Sequence, residues 1–96
     1  SRAAGALVVL ADGVCLAHLT RGGRTLTLFE PTWSEAPGRA QRLRLVTTAL
    51  VNAVAEKRMQ RIRVEEIDGE RVSAADAEIM RGAGARLSPA GVNIGA

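Results

Sequence analysis

The stretch from Leu19 to Phe29 reads LTRGGRTLTLF, and its reading decides the fold. Two apolar, threonine-rich runs flank Gly22-Gly23, with Arg21 and Arg24 on either side of the pair. Glycine reaches positive φ without steric penalty, so a Gly-Gly pair between such runs reads as a tight turn. Past it, Leu26 and Leu28 point to one face of a strand and Thr25, Thr27 and Phe29 to the other, because successive side chains alternate. Upstream, ALVVL at 6–10 and VCLAHLT at 14–20 are separated by Asp12-Gly13, a two-residue hairpin signal. Residues 6–29 are therefore expected to form a three-stranded antiparallel meander, preceded by a linker at 1–5.

Downstream the pattern breaks and then changes period. Residues 30–38 hold Pro31, Pro37 and Gly38 and are expected to be a connecting loop. Two readings stand for Trp33 in that loop, folding back onto the core or stacking on a base. From 39 to 59, Leu43, Val46, Leu50, Ala53 and Val54 recur at helical spacing, with Arg39, Arg42 and Glu56 off the stripe. The β-branched residues of this segment weaken its intrinsic helicity, so packing has to hold the helix.

Residues 60–96 read as β-α-β. In RIRVEEI, Ile62 and Val64 alternate with Arg61, Arg63 and Glu65, and the phase slips at Glu65-Glu66, which predicts a bulge or a strand end. Asp68-Gly69 is a turn. Ser73 followed three residues later by Asp76 marks a helix start at Ala74. That helix carries Ile79 and Met80 and stops near Gly82 or Gly84. A turn at 88–91 and a last strand at 92–94 close the chain. The expected fold class is α+β: an antiparallel meander plus a long amphipathic helix, order β-β-β-α-β-α-β, with helices on one face of a mostly antiparallel sheet.

Ninety-six residues support one domain at most. The chain starts Ser1-Arg2-Ala3 without an initiator Met or a signal-peptide pattern, and is expected to be a piece of a longer protein. No apolar run approaches the roughly 18 residues of a membrane span. Cys15 and His18 are the only residues of their types, so an internal disulfide is excluded and a zinc site lacks its usual ligands. Cys15 reads as a buried, inert thiol, and the expected location is cytoplasmic.

The net charge of +3 is unevenly spread. Arg39, Arg42, Arg44, Lys57, Arg58, Arg61 and Arg63 face Glu56 alone, whereas from Glu65 to Glu78 acidic residues dominate. A basic face beside an acidic one suits nucleic acid on one side and protein on the other; a solvated surface of cancelling signs fits equally well.

Enzyme chemistry is poorly supported. Cys15 and His18 are expected on opposite faces of one strand, and nothing raises a pKa among Glu65, Glu66 and Asp68. The Arg21–Arg24 stretch lacks the helix and the Gly-Lys-Ser/Thr ending of a phosphate-binding loop. Phosphate contact is the better candidate, through Arg21 and Arg24 on the hairpin, Arg39 and Arg42 at the helix start, and Lys57, Arg58 and Arg61. With one Phe, one Trp and no Tyr, stacking platforms are scarce, so binding would be phosphate-driven and salt-sensitive.

In order, GGRTLTLF after an apolar meander, a long helix, RIRVEEIDGERV, a short helix and GARLSPAGVNI resemble the extreme C-terminal end of the long helicase-related (Lhr-type) DNA helicases. The resemblance runs from Ala4 to Ile94, and its most specific parts are Arg21 to Arg24, Val64 to Glu70 and Gly84 to Val92. It implies a parent that is an ATP-dependent, 3′-to-5′ superfamily 2 DNA helicase of DNA repair. Its ATP and Mg sites would lie in ATPase lobes upstream, so this segment would hold no cofactor or metal. It also implies a C-terminal region of winged-helix modules and a β-barrel-like part similar to a DNA glycosylase family, linked to self-association. Some relatives carry a base-excision Asp near the chain end. Residues 90–96 have no carboxylate here, and the Glu30–Glu35 loop is longer and richer in proline than the family pattern.

Three functions follow. The first is an accessory domain that holds DNA through its phosphate backbone, with low sequence specificity, and docks neighbouring domains of the same polypeptide. The second is an oligomerisation module using Leu45 and Val51 on the outer side of the helix. The third is a glycosylase-like enzyme.

Overall fold

Alternation of the kind seen in TLTL buries one face of a strand, and here it does: Leu26 and Leu28 are buried while Thr25 and Thr27 are half-exposed. The computed structural model describes residues 7–11, 14–20, 24–29 and 38–95, with side chains from residue 17 onward. Strands β1 (Leu7–Ala11), β2 (Val14–Leu19) and β3 (Thr25–Leu28) pair antiparallel in sequence order. The register of β1 on β2 shifts between Val9 and Leu10. Asp12-Gly13, Gly22-Gly23, Trp33 and the Glu30–Glu35 loop lie outside the described residues, as does the Cys15 side chain. The base of the second connection is closed by Thr20, whose N–H donates to the Thr25 carbonyl at 3.0 Å and whose hydroxyl accepts from Thr25 N–H at 3.2 Å.

Helix α1 (Arg39–Ala55) buries Leu43, Val46, Leu50 and Ala53, four of the five stripe residues, and leaves Val54 half-exposed. Removing side chains such as Leu43 and Val46 from water stabilises by about 1.5–3 kcal/mol each. Thr47 is fully buried as well, and its hydroxyl is satisfied by donating to the Leu43 carbonyl at 2.8 Å. The helix ends at Ala55, four residues before the expected Met59. Lys57 takes φ 63°, its N–H donates to the Val54 carbonyl, and Arg58 N–H donates to the Ala53 carbonyl at 2.8 Å. This is the left-handed closure that glycine usually supplies, here made by a lysine.

The expected fourth strand is divided between two sheets. β4 (Ile62–Val64) pairs antiparallel with the last strand, whereas β5 (Glu66–Ile67) pairs parallel with β3. The phase slip at Glu65-Glu66 is the crossing point. The Arg24 carbonyl accepts from both Glu65 N–H at 2.7 Å and Glu66 N–H at 3.0 Å, which pins the crossing to the start of β3. β6 (Glu70–Arg71) returns on β5 through Asp68-Gly69, whose φ values of 55° and 85° are those of a two-residue hairpin turn.

Helix α2 (Ala74–Gly82) starts at the expected residue, with the Ser73 hydroxyl accepting from Asp76 N–H at 3.1 Å. It closes through Gly84 at φ 112°, then β7 (Arg86–Ser88) and β8 (Gly91–Ile94) form a hairpin. The strand orders are β1-β2-β3-β5-β6 and β4-β8-β7. The class is thus mixed α+β, but the described strands form two sheets with one parallel pairing rather than a single mostly antiparallel one.

One apolar cluster joins the layers. Leu19 and Leu26 from the first sheet, Leu43 and Val46 from α1, Met80 from α2, and Val64, Val92 and Ile94 from the second sheet are all at most 1% exposed. Two residues expected off the core are drawn in: Arg42 is buried, at 5% exposed, and Val51, assigned to an outer docking face, packs against the cluster. Gly91 is required by close approach. A Cβ there would lie 2.5 Å from the Val64 carbonyl oxygen, at a φ of 157°.

Candidate nucleic-acid interface

In β4, Val64 turns inward and is fully buried, so Arg61 and Arg63 on the opposite parity point outward and are exposed. The ladders pair Arg63 with Asn93 and Asn93 with Arg86, which sets Arg63, Asn93 and Arg86 in one row across the three-stranded sheet. Arg24 reaches the same area from the other sheet, because its carbonyl is fixed at the crossing by Glu65 and Glu66. A groove of about 410 Å³ results, with Arg24, Arg61, Arg63, Glu65 and Asn93 on its walls and Ile62 and Ile94 completing the lining.

Three guanidinium groups thus share one concavity with one carboxylate. Glu65 stands 3.8 Å from Arg63 Nε, with half or more of the arginine side chain exposed, a pair that water and salt weaken. Among the described residues, no carboxylate lies within ion-pairing distance of Arg24, Arg61 or Arg86. Guanidinium offers a planar fork of donors suited to phosphate oxygens. The chemistry available is therefore anion binding.

The expected contacts divide. Arg24 and Arg61 meet in the groove; Arg21 lies outside the described residues. Arg39 turns away and grips Asp76 with both arms, Nη1 on Oδ1 and Nη2 on Oδ2, each at 2.8 Å, with Asp68 at 3.9 Å. The Asp76 hydrogen bond raises the Arg39 pKa further above its ordinary value, and this charge is used inside the fold. Asp76 stands in the first turn of α2, where its negative charge also suits that helix's N-terminus. Arg42 is buried and already engaged. Neither helix-start arginine lines the groove. Lys57 and Arg58 are exposed beyond the end of α1, and Arg58 Nε donates to Glu56 Oε1 at 2.8 Å.

Arg63 and Arg86 were not among the expected contacts. Arg63 was visible as an outward position of RIRVEE, whereas Arg86 joins only through the β8–β7 pairing. Of the three carboxylates weighed for acid–base work, Glu65 lines the groove and also shares a second concavity with Glu66 of β5, whereas Asp68 Oδ1 is engaged by Leu28 N–H at 2.9 Å. Among the described residues, no group of three or more metal-ligating side chains comes together. No helix among them is long and apolar enough to cross a membrane. The sequence matches no protein-family model and no curated protein.

Proposed function

We propose that this chain is an accessory domain that holds DNA by its phosphates, of the kind expected at the C-terminal end of an Lhr-type ATP-dependent 3′-to-5′ DNA helicase acting in DNA repair in the cytoplasm. The observation that carries this reading is the groove in which Arg24, Arg61 and Arg63 converge with a single opposing carboxylate. In such a parent, ATP and Mg act upstream, and this chain contributes grip and docking rather than catalysis. The outline proposed for the domain is β-β-β-α-β-α-β, with the fourth and last strands each divided.

The test is the salt dependence of binding. Each neutralised phosphate contributes about −0.9 to the slope of log affinity against log salt on duplex DNA, and about −0.7 on single strands. Replacing Arg24, Arg61 and Arg63 together by alanine should flatten that slope by about two units or more on either substrate. An unchanged slope removes the DNA role from the groove. The assembly reading loses Val51 to the core and keeps Leu45, 39% exposed, as its large apolar side chain on α1. Sedimentation of Leu45→Arg tests it: an oligomer lost with DNA affinity intact would favour assembly over DNA holding.

A further inference from the structure

The shape and charge of the groove point to a narrower ligand than a continuous phosphate backbone. We infer that it takes a terminal phosphate, the phosphomonoester at the end of a nucleic acid strand, with the last nucleoside lying beside the half-buried Ile62. The inference rests on the DNA-holding reading and specifies which part of the strand is held.

Three observations carry it. The first is stoichiometry of charge. Arg24, Arg61 and Arg63 against Glu65 leave a net +2 in one concavity. An internal phosphodiester brings one negative charge and two free oxygens. A phosphomonoester brings about −1.5 to −2 at neutral pH and three acceptor oxygens. The second is size. At about 410 Å³ the space sits at the small end of the roughly 300–1,000 Å³ usual for ligand sites, on the scale of one nucleotide rather than several.

The third is placement. Arg24 leads into β3 of one sheet, and Arg61 and Arg63 lie just before and within β4 of the other, so the arginines that line the groove come from both sheets. The partly exposed Ile62 offers an apolar edge to a sugar or base without needing an aromatic stack. Asn93, between Arg63 and Arg86 in the ladder, adds a donor and an acceptor beside that edge. Glu65 is the counter-charge that an incoming anion displaces, and its removal favours the anion.

The chemistry of a phosphomonoester is shared by a strand end and by a free nucleotide, and the experiment separates them. Binding of the 96-residue chain is measured by fluorescence anisotropy on internally labelled single-stranded oligonucleotides of one sequence. Their ends carry a 5′-phosphate, a 3′-phosphate or only hydroxyls, and adenosine 5′-monophosphate serves as competitor. A phosphorylated end is expected to bind about tenfold tighter than the hydroxyl form, a difference worth about 1.4 kcal/mol. Arg61→Ala and Arg63→Ala, both at exposed positions, should abolish the difference, and Glu65→Gln should increase affinity for the phosphorylated end.

Equal affinity for all ends, with binding still dependent on the arginines, overturns the inference and leaves the DNA-holding reading intact. Absence of binding to every oligonucleotide overturns both. Displacement by the mononucleotide at concentrations matching the phosphorylated strand reassigns the site to free nucleotides and also overturns the inference.

Discussion

Replacing Gly91 by alanine should weaken the fold severely for the addition of one methyl group, and the cost follows from two separate terms. The added Cβ would meet the Val64 carbonyl oxygen at 2.5 Å, with the Val64 carbonyl carbon at 3.2 Å and Arg63 Cγ at 3.3 Å. The first of these is backbone, held in the β4–β8 ladder by the Val64 to Val92 pairing, so it cannot yield without parting the strands. Overpacking of this kind costs about 1–3 kcal/mol. The φ of 157° adds backbone strain of about 1 kcal/mol or more. Against these, alanine restricts the unfolded chain and returns about 0.4–1 kcal/mol.

The net is a loss of about 2.5 kcal/mol, from a total expected near 5–14 kcal/mol for a chain of this length. Gly69→Ala is the control. Its φ of 85° imposes strain, but nothing lies within 4 Å of the new Cβ, so after the same return from the unfolded chain it should cost less than about 1 kcal/mol. Thermal and urea unfolding of both variants, referenced to the parent chain, measure the difference. At about 4–8 °C per kcal/mol, Gly91→Ala should melt about 10–20 °C lower. Hydrogen exchange should show the loss concentrated at amides of β4 and β8. If Gly91→Ala costs no more than Gly69→Ala, the close approach of β8 to Val64 is wrong, and with it the placement of Asn93 beside Arg63.

Three further outcomes are expected. The Asp76 side chain is 12% exposed and that of Arg39 46%, so Arg39→Ala strands a nearly buried carboxylate and should cost about 2 kcal/mol, whereas Asp76→Ala frees an arginine that water can reach and should cost about half as much; a double-mutant cycle by urea unfolding checks both. Lys57→Gly should stabilise by about 0.5–1 kcal/mol in the same assay, because a glycine carries no Cβ penalty at the 63° φ that closes α1. The Arg81 hydrogen bond holds the fully exposed Glu78 carboxyl below its usual range, so its NMR titration midpoint should fall below the ordinary glutamate value and rise in Arg81→Ala. For a depressed carboxylate, any stabilisation is present above the unfolded pKa and is lost as pH falls through the folded one.

Local chemistry was readable and long-range pairing was not. Leu26 and Leu28 announced a half-buried strand because alternation needs only neighbours, and Leu43, Val46 and Leu50 announced a helix for the same reason. Ser73 capped α2 where its spacing to Asp76 required. The break at Glu65 was visible as a slip of phase, but its meaning, a change of sheet, depends on β3 and β8 offering separate edges. The α1 end was overrun because no glycine marks it; a lysine in the left-handed region takes that place. Arg42 flanks Leu43 at the border of the apolar stripe, where a long polar side chain and a core residue look alike in sequence. For the site, charge alone could not separate Arg39, which a carboxylate 37 positions away claims, from Arg24 and Arg61, which none does among the described residues.

The double acceptance at the Arg24 carbonyl has a mechanical consequence. One peptide group rivets the two sheets together, and the side chain of the same residue hangs over the seam. An anion grasped by Arg24 from one side and by Arg61 or Arg63 from the other would bridge that seam a second time. Occupancy would then stiffen the joint and delay melting in proportion to ligand concentration, so that the domain's own denaturation curve reads out whether the groove is filled.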